Sequence, residues 1–292
     1  MTLPRRSLLT TLLLSPALLQ ARPDELPEAW AQLERRAGGK LGAALVDTAT
    51  GRTWAQHGNE RFGLCSTFKL LLAAATLAQV DAGRWKLDER IAVGDLSRLG
   101  HSPVTRKAQG PMRLDDLAQA AQMQSDNGAA NALLRHLGGP AALTDWLRQQ
   151  GDAVTRIDRY EPEMNHTPPG EVRDTTSPAA MAATVARLCT GAVLKPASRA
   201  RLISWMEATQ TGQRRLRAGL PKGWRAGDKT GTGFHASMPD RINDTAVFWP
   251  PQREPLVLAC FYEGPARSSD WVRPQDEAVL AEVARLAAAA LT

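Results

Sequence analysis

A long apolar segment limits the folds open to this chain more than any other feature. From Phe68 to Val80 almost every residue is apolar, and most are leucine or alanine, which are strong helix formers. A helix that is apolar on all faces must be surrounded by other protein, because no face of it suits water. We therefore predict a helix buried at the centre of a domain. The chain has 292 residues, 43% of them hydrophobic, which is enough to enclose such a helix.

Strand-like segments lie near both ends of the chain, and the middle is helical. Residues 41–46 and 53–56 flank a polar turn that ends at Gly51, which predicts a β-hairpin. Further strands are predicted after Gly219, at residues 224–232, 245–249 and 256–262. Helical spacing of apolar residues predicts helices at residues 24–37, 114–124, 129–137, 141–149, 178–188, 196–209 and 275–291.

This order of elements predicts the fold class. We expect an α/β sandwich whose antiparallel sheet is formed by both termini and flanked by helices, with an all-α domain inserted. The α/β domain is assigned to residues 22–64 and 210–292, and the all-α domain to residues 65–209.

The first 21 residues predict an export signal. Arg5 and Arg6 precede an apolar run from Leu8 to Leu19, and Ala21 offers a small residue for cleavage. The run has only about a dozen residues, too few for a stable membrane span. The arginine pair also resembles a twin-arginine signal. We expect a periplasmic or secreted protein; an uncleaved anchor, the alternative, would also place the rest of the chain outside the cytoplasm.

Charge and cysteine content indicate which partners and which disulfides can be expected. The chain has 36 basic and 30 acidic residues without a basic run interleaved with aromatics, so no nucleic-acid partner is expected. Cys65, Cys189 and Cys260 lie in apolar stretches, and an odd number cannot all pair, so we expect buried free thiols. We expect a monomer that needs neither a metal nor a cofactor.

Ser66 and Lys69 stand where the buried helix begins. A spacing of three places both on one helix face. Free N–H groups and the dipole at a helix start favour negative charge, so a serine there can act as a nucleophile when a base takes its proton. Only Thr76 and Gln79 are polar among the eleven residues after Lys69, so the lysine is expected in the interior, where an unpaired ammonium is rare. Taken alone, the pair could equally be a helix cap and a solvated lysine.

Two more short motifs follow in the chain. An SDN sequence at residues 125–127 lies between two predicted helices, and alone it would predict an N-cap. A KTG sequence at residues 229–231 lies in a predicted strand, and alone it would predict a charged edge strand. The three motifs in this order are very improbable by chance.

Together the three motifs resemble those of the class A β-lactamases and penicillin-binding proteins. The segment from Glu161 to Asn165 resembles the deacylation motif of the class A enzymes, with Met164 where leucine is usual. Arg159 and Asp174 match the ion pair that closes the Ω-shaped loop of that family. The resemblance covers nearly the whole chain after residue 21. It implies a hydrolase that opens the β-lactam ring of antibiotics and confers resistance.

The resemblance also implies the catalytic roles. Ser66 is the nucleophile, and Lys69 and Glu161 are the two alternatives for the base that activates it. Ser125 passes a proton to the β-lactam nitrogen with the help of Lys229. Glu161 also holds the water that attacks the acyl-enzyme.

The rest of the site is implied in the same way. The backbone N–H groups of Ser66 and Thr232 form the oxyanion hole. Arg215 is expected to bind the substrate carboxylate, and Arg241 is the alternative; His101 is either an aromatic at the mouth or an exposed loop residue. The expected substrate-binding residues are Asn127, Asn165, Lys229, Thr230, Gly231, Thr232, Arg215 and His101.

The sequence departs from the family pattern in two places. Residues 233–242 form a longer link between KTG and the next strand than the family pattern suggests, which leaves the position of Thr232 open. Gly233 stands where some carbapenem-hydrolysing relatives have a cysteine that pairs with the equivalent of Cys65, so that disulfide cannot form here.

Two alternative functions remain at this point. A D-Ala-D-Ala peptidase shares the three motifs and the fold, but it would lack the water-holding pair of Glu161 and Asn165. A non-catalytic β-lactam sensor would need a transmembrane partner segment, and no apolar run after Leu19 is suited to that.

Overall fold

The computed structural model describes residues 22–266 and 271–291, and the predicted export signal lies outside them. The helices are α1 (Leu26–Ala37), α2 (Phe68–Asp81), α3 (Leu114–Met123), α4 (Asn127–Leu137), α5 (Pro140–Gln149), α6 (Pro178–Thr190), α7 (Pro196–Glu207) and α8 (Pro274–Leu291). The strands are β1 (Lys40–Asp47), β2 (Thr53–Gln56), β3 (Phe62–Gly63), β4 (Arg90–Ile91), β5 (Met112–Arg113), β6 (Thr175–Thr176), β7 (Arg225–Gly233), β8 (Arg241–Trp249) and β9 (Leu256–Glu263).

The main sheet has five strands in the order β2-β1-β9-β8-β7, and every neighbouring pair is antiparallel. Strands from the two ends of the chain thus meet at the pairing of β1 with β9. Helices α1 and α8 cover one face, and α6 with the helical region covers the other. The predicted α/β sandwich with an inserted helical region is confirmed, while the domain boundaries remain a prediction.

Side chains of the central strands alternate between two hydrophobic cores, as the two-residue period of a strand requires. Phe248 and Leu258 face the core under α1 and α8, which also contains Trp30. Val247 and Val257 face the helical region. A sheet that is apolar on both faces needs a layer of helices on each side, and this chain supplies both layers.

Helix α2 lies at the centre of the helical region, as its sequence predicts. Every residue from Phe68 to Leu77 is buried. Fully burying one leucine side chain contributes about 1.5–3 kcal/mol, so the apolar faces of α2 hold it firmly in place. Ser66 and Lys69 form an SxxK motif. Its serine precedes this helix, in a 3₁₀ turn at Cys65–Thr67.

Strand β8 begins earlier than its sequence predicts. The prediction starts at residue 245, whereas the strand starts at Arg241. Polar Asn243 and Asp244 argue against a buried strand, but both are buried between β7 and β9. The two small sheets, β3 with β6 and β4 with β5, were not predicted, because two-residue strands leave no periodic pattern.

Two further expectations concern the state of the cysteines and the presence of membrane-spanning helices. Cys65, Cys189 and Cys260 are all buried free thiols. Within the described residues, none of the helices has the length and hydrophobicity needed to cross a bilayer.

Candidate active site

Ser66 lies at a point where strand β7 comes very close to the start of α2. A Cβ atom on Gly231 would stand 2.8 Å from the carbonyl oxygen of Leu64, so only glycine permits this approach. Cys65, directly before the serine, has φ of 45°, a left-handed conformation that is costly for a residue with a side chain. The close approach brings the backbone of β7 alongside the predicted nucleophile.

Lys69 is fully buried and contacts four other residues of the site. Its Nζ atom lies 2.9 Å from Ser66 Oγ, 2.9 Å from the carbonyl oxygen of Ser125, 2.5 Å from Asn127 Oδ1 and 3.0 Å from Glu161 Oε1. An ammonium has three hydrogens for these four acceptors. Lys69 can therefore change its donation between Ser66 and Glu161 with little movement.

Ser125 connects the two buried lysines of the site. Lys229 Nζ donates to Ser125 Oγ at 3.0 Å and to the Thr230 carbonyl oxygen at 2.8 Å, while Lys69 Nζ lies 3.5 Å from the same hydroxyl. Burial and the nearby charge of Lys69 lower the pKa of Lys229 to about 7. A group with a pKa near neutrality can give and take a proton at physiological pH, which suits proton relay through Ser125.

Glu161 is buried and fixed on both its backbone and its side chain. Asn131 Nδ2 donates to the Glu161 carbonyl oxygen at 2.8 Å, and the Glu161 N–H donates to Asn131 Oδ1 at 2.9 Å. Asn165 Nδ2 donates to Glu161 Oε2. The peptide bond from Glu161 to Pro162 is cis, and a 3₁₀ turn follows at Glu163–Asn165. The carboxylate thus stands beside both Lys69 and the side-chain amide of Asn165.

The loop that carries Glu161 is closed by the predicted ion pair. Arg159 Nε donates to Asp174 Oδ2 at 2.5 Å, and Asp174 is fully buried. Asp174 Oδ1 also accepts the backbone N–H groups of Asp158 and Arg159, at 2.8 and 3.0 Å. Burial raises the pKa of the Asp174 carboxyl. These contacts join the two ends of the loop.

Eight of the twelve predicted catalytic and substrate-binding residues line a cleft of about 380 Å³, while Lys69, Glu161, Lys229 and Gly231 do not line it. Arg215 lines it and donates to Thr232 Oγ1 at 2.8 Å. Arg241 instead pairs with Glu263 at 3.1 Å and does not line the cleft. The lining residues are Ser66, His101, Ser125, Asn127, Asn165, Thr211, Arg215, Thr230, Thr232 and Val272.

The long link after KTG does not displace Thr232. Strand β7 continues to Gly233, and Thr232 is paired with Ile242 of β8. The extra residues form a loop whose His235 ring lies against the ring of His166, with 4.2 Å between the ring centroids. The loop therefore contacts His166, the residue that follows Asn165.

Sequence reasoning missed several residues that shape the site. Thr211 and Val272 line the cleft, and Thr211 Oγ1 lies 2.8 Å from Thr230 Oγ1. Asp126, the middle residue of SDN, accepts the backbone N–H groups of Val104 and Thr105, at 2.8 and 2.9 Å, and so fixes the loop that follows His101. A buried asparagine in an apolar helix was the only sequence signal for Asn131.

A larger groove of about 800 Å³ lies outside this site. Its lining includes Arg90, Lys107 and Met112, but none of the predicted site residues. Size alone would favour it, but it lacks a nucleophile with an adjacent base. Among the described residues, no three histidine, cysteine or acidic side chains are grouped to hold a metal.

Comparisons with known proteins bear directly on this site. A sequence model of the β-lactamase enzyme family matches residues 25–291. β-Lactamase Toho-1 of Escherichia coli is 40% identical over 272 residues, which cover 91% of this chain and 92% of that protein. β-Lactamase L2 of Stenotrophomonas maltophilia is 46% identical over 260 residues, 88% of this chain and 83% of that protein. The solved structure of a class A β-lactamase described as the last common ancestor of Gram-negative bacteria is 53% identical, has a TM-score of 0.85, and aligns over 92% of this chain and all of that one.

The sandwich fold, with Ser66 against buried Lys69 and Ser125 between Lys69 and buried Lys229, defines a serine acyl-transfer enzyme of the SxxK type. Within that class, the chain belongs to the β-lactamase enzyme family, in class A. The predicted hydrolase of the β-lactam ring is thereby confirmed, and these matches support it over a D-Ala-D-Ala peptidase.

Proposed function

We propose that the protein hydrolyses β-lactam antibiotics through an acyl-enzyme on Ser66 and so confers resistance to them. The observation that carries this mechanism is the contact of one buried ammonium, Lys69 Nζ, with both Ser66 Oγ and Glu161 Oε1, at 2.9 and 3.0 Å. The nucleophile and a carboxylate able to take its proton thus both lie within hydrogen-bond reach of one lysine nitrogen.

In the acylation step, Ser66 Oγ attacks the β-lactam carbonyl carbon. Its proton passes to ionised Glu161, or to Lys69 after Lys69 has given a proton to Glu161. The negative charge that develops on the carbonyl oxygen is bound by the backbone N–H groups of Ser66 and Thr232. Ser125 gives a proton to the β-lactam nitrogen as the ring C–N bond breaks, and Lys229, 3.0 Å from Ser125 Oγ, replaces it. The proton taken from Ser66 then passes through Lys69 to Ser125 and Lys229, so Glu161 is ionised again before deacylation.

In the deacylation step, a water molecule attacks the Ser66 ester. Glu161 takes a proton from this water, and Asn165 orients it. Attack breaks the ester bond, the proton returns to Ser66 Oγ, and the product leaves with a new carboxyl group. A peptidase that traps β-lactams lacks this second step.

Substrate binding uses the cleft between β7 and the helical region. Lys229, Thr230, Thr232 and Arg215 present cationic and hydroxyl groups to the substrate carboxylate. Asn127 binds the side-chain amide of the substrate, and His101 contacts it at the mouth. We assign the protein to the periplasm or the exterior of the cell, because the first 21 residues have the pattern of an export signal. We expect it to act as a monomer.

Hydrolysis of a chromogenic cephalosporin tests the proposed function. The wild-type protein should turn over many equivalents, and Ser66→Ala should turn over none. A D-Ala-D-Ala peptide is the control substrate. If the wild-type protein cleaves the peptide and forms only a persistent adduct with the cephalosporin, the proposal is wrong.

A further inference from the structure

Two buried aspartates beside the site have no part in the mechanism above. Asp228 precedes Lys229 on β7, and Asp244 lies on β8 opposite Thr230, so the two aspartates are diagonal neighbours on one face of the sheet. Both are fully buried. Because an unpaired buried charge is strongly unfavourable, each carboxyl oxygen should have a partner.

Only two of the four oxygens accept a hydrogen bond from a protein donor. Asp228 Oδ1 accepts from Arg217 Nε at 2.6 Å, and Asp244 Oδ2 accepts from the Leu216 N–H at 3.2 Å. No N–H or O–H group of the described residues donates to Asp228 Oδ2 or Asp244 Oδ1, while the two carboxyl groups are in hydrogen-bond contact with each other. One proton between them would remove both the repulsion and the two unsatisfied acceptors.

The surroundings decide which carboxyl group carries that proton. The Arg217 guanidinium contacts Asp228 Oδ1 through two nitrogens, which favours the ionised form of Asp228. Asp244 receives only a neutral backbone N–H. Burial and the neighbouring charge of Asp228 raise the pKa of Asp244 well above its usual value. Asp244 is therefore the neutral acid, and its O–H donates to Asp228 Oδ2.

We propose that Asp228 and Asp244 are a positioning pair that shares one proton, holds a single negative charge behind β7, and thereby keeps Lys229 in its ammonium form. Burial and Lys69 lower the pKa of Lys229, and the charge on the aspartates opposes both. The same pair ties β7, through Arg217, and β8, through Leu216, to the turn that carries Arg215.

Every charged or titratable group that faces the pair fits one shared negative charge. Lys229 follows Asp228 on β7, and Arg215 and Arg217 approach from the turn before β7. Cys260 stands opposite Asp244 on β9, and burial raises the pKa of its thiol well above its usual value, so it stays neutral. Lys69 acts on Lys229, from the helical side.

The kinetic test measures kcat/KM as a function of pH for the wild type, for Asp244→Asn and for the double variant Asp228→Asn/Asp244→Asn. Asp244→Asn should keep the wild-type alkaline limb, because its amide N–H can still donate to an ionised Asp228. The double variant removes the charge, so its alkaline limb should move to lower pH by about one unit or more. Asp47→Asn is the matched control, since Asp47 is a buried aspartate bound to Arg253 on β1, which β9 and β8 separate from β7. The proposal would be overturned if the alkaline limb shifted equally in Asp244→Asn and the double variant, or if it shifted in neither.

The kinetic test rests on the proposed function, so a second test is made without substrate. Infrared difference spectra at pH 7 should show that the carboxylic-acid carbonyl band of the wild type is lost in Asp244→Asn and kept in Asp47→Asn. If Asp244→Asn loses only a carboxylate band, the shared proton is disproved. Absence of cephalosporin turnover in the wild type would instead disprove the proposed function, and the spectra would still decide the state of the pair.

Discussion

At the scale of single residues, the charge of Lys229 depends strongly on its surroundings. A free lysine keeps its proton to a pH of about 10.4, whereas burial and Lys69 lower the pKa of Lys229 to about 7. The ammonium is therefore fully present below this pH and is lost as the pH rises through it. Both Ser125 and the substrate carboxylate lose a cationic partner when it deprotonates.

The alkaline limb of the pH profile should report this loss. We expect kcat/KM of the wild type to fall as the pH rises above about 7, because this ratio follows the ionisation of the free enzyme. Lys229→Arg keeps its charge throughout, so its profile should lose that limb even where its rate is lower. The same limb in both proteins would show that another group is responsible.

Arg215 and Arg241 were open alternatives in the sequence, and the structure separates them. Arg215→Ala should raise KM by about 10-fold or more, since a hydrogen bond to a charged group contributes about 1.5–3 kcal/mol. Arg241→Ala should lower the melting temperature through the loss of its contact with Glu263, with KM close to wild type. Steady-state kinetics and thermal unfolding of both variants make the comparison. A larger rise of KM in Arg241→Ala would reverse the assignment.

At the scale of elements, the Ω-shaped loop depends on its closing pair. Asp174→Asn leaves Arg159 without its counter-ion, and while the amide oxygen accepts the two backbone N–H groups, the amide NH2 faces the Arg159 N–H donor. We expect a loss of about 3 kcal/mol in the free energy of unfolding, together with slower deacylation. Glu171→Gln breaks a half-exposed pair with Arg173 on the same loop and should cost less than about 1 kcal/mol. Denaturant unfolding of both variants tests this, and equal losses would contradict it.

The elements that the sequence predicts well are those whose residues form a pattern within one segment. Helix α2, the hairpin of β1 and β2, and the SxxK, SDN and KTG motifs need only neighbouring residues to be recognised. The early start of β8 was missed because Asn243 and Asp244 are polar, and only pairing with β7 and β9 makes their burial possible. Asn131 was missed for a similar reason, since its partner Glu161 lies 30 positions further along the chain.

At the scale of the whole molecule, the site exists because two parts of the chain meet. The start of α2 and the SDN turn supply Ser66, Lys69 and Ser125, while the edge strand β7 supplies Lys229. The loop closed by Arg159 then brings Glu161 to the same ammonium. Neither part alone holds all the groups that pass protons to and from Ser66 and Ser125. This explains why no single motif was sufficient to predict the function.

The central claim is that Glu161 serves the second chemical step and Ser66 the first. The most direct measurement mixes Glu161→Ala rapidly with a chromogenic cephalosporin and identifies the adduct by mass spectrometry. We expect a stoichiometric burst, an acyl group on Ser66, and steady-state turnover reduced by about 10²–10⁴, because a positioned general base contributes on that order. Ser66→Ala should give no burst. Wild-type turnover by Glu161→Ala would contradict the proposed deacylation mechanism.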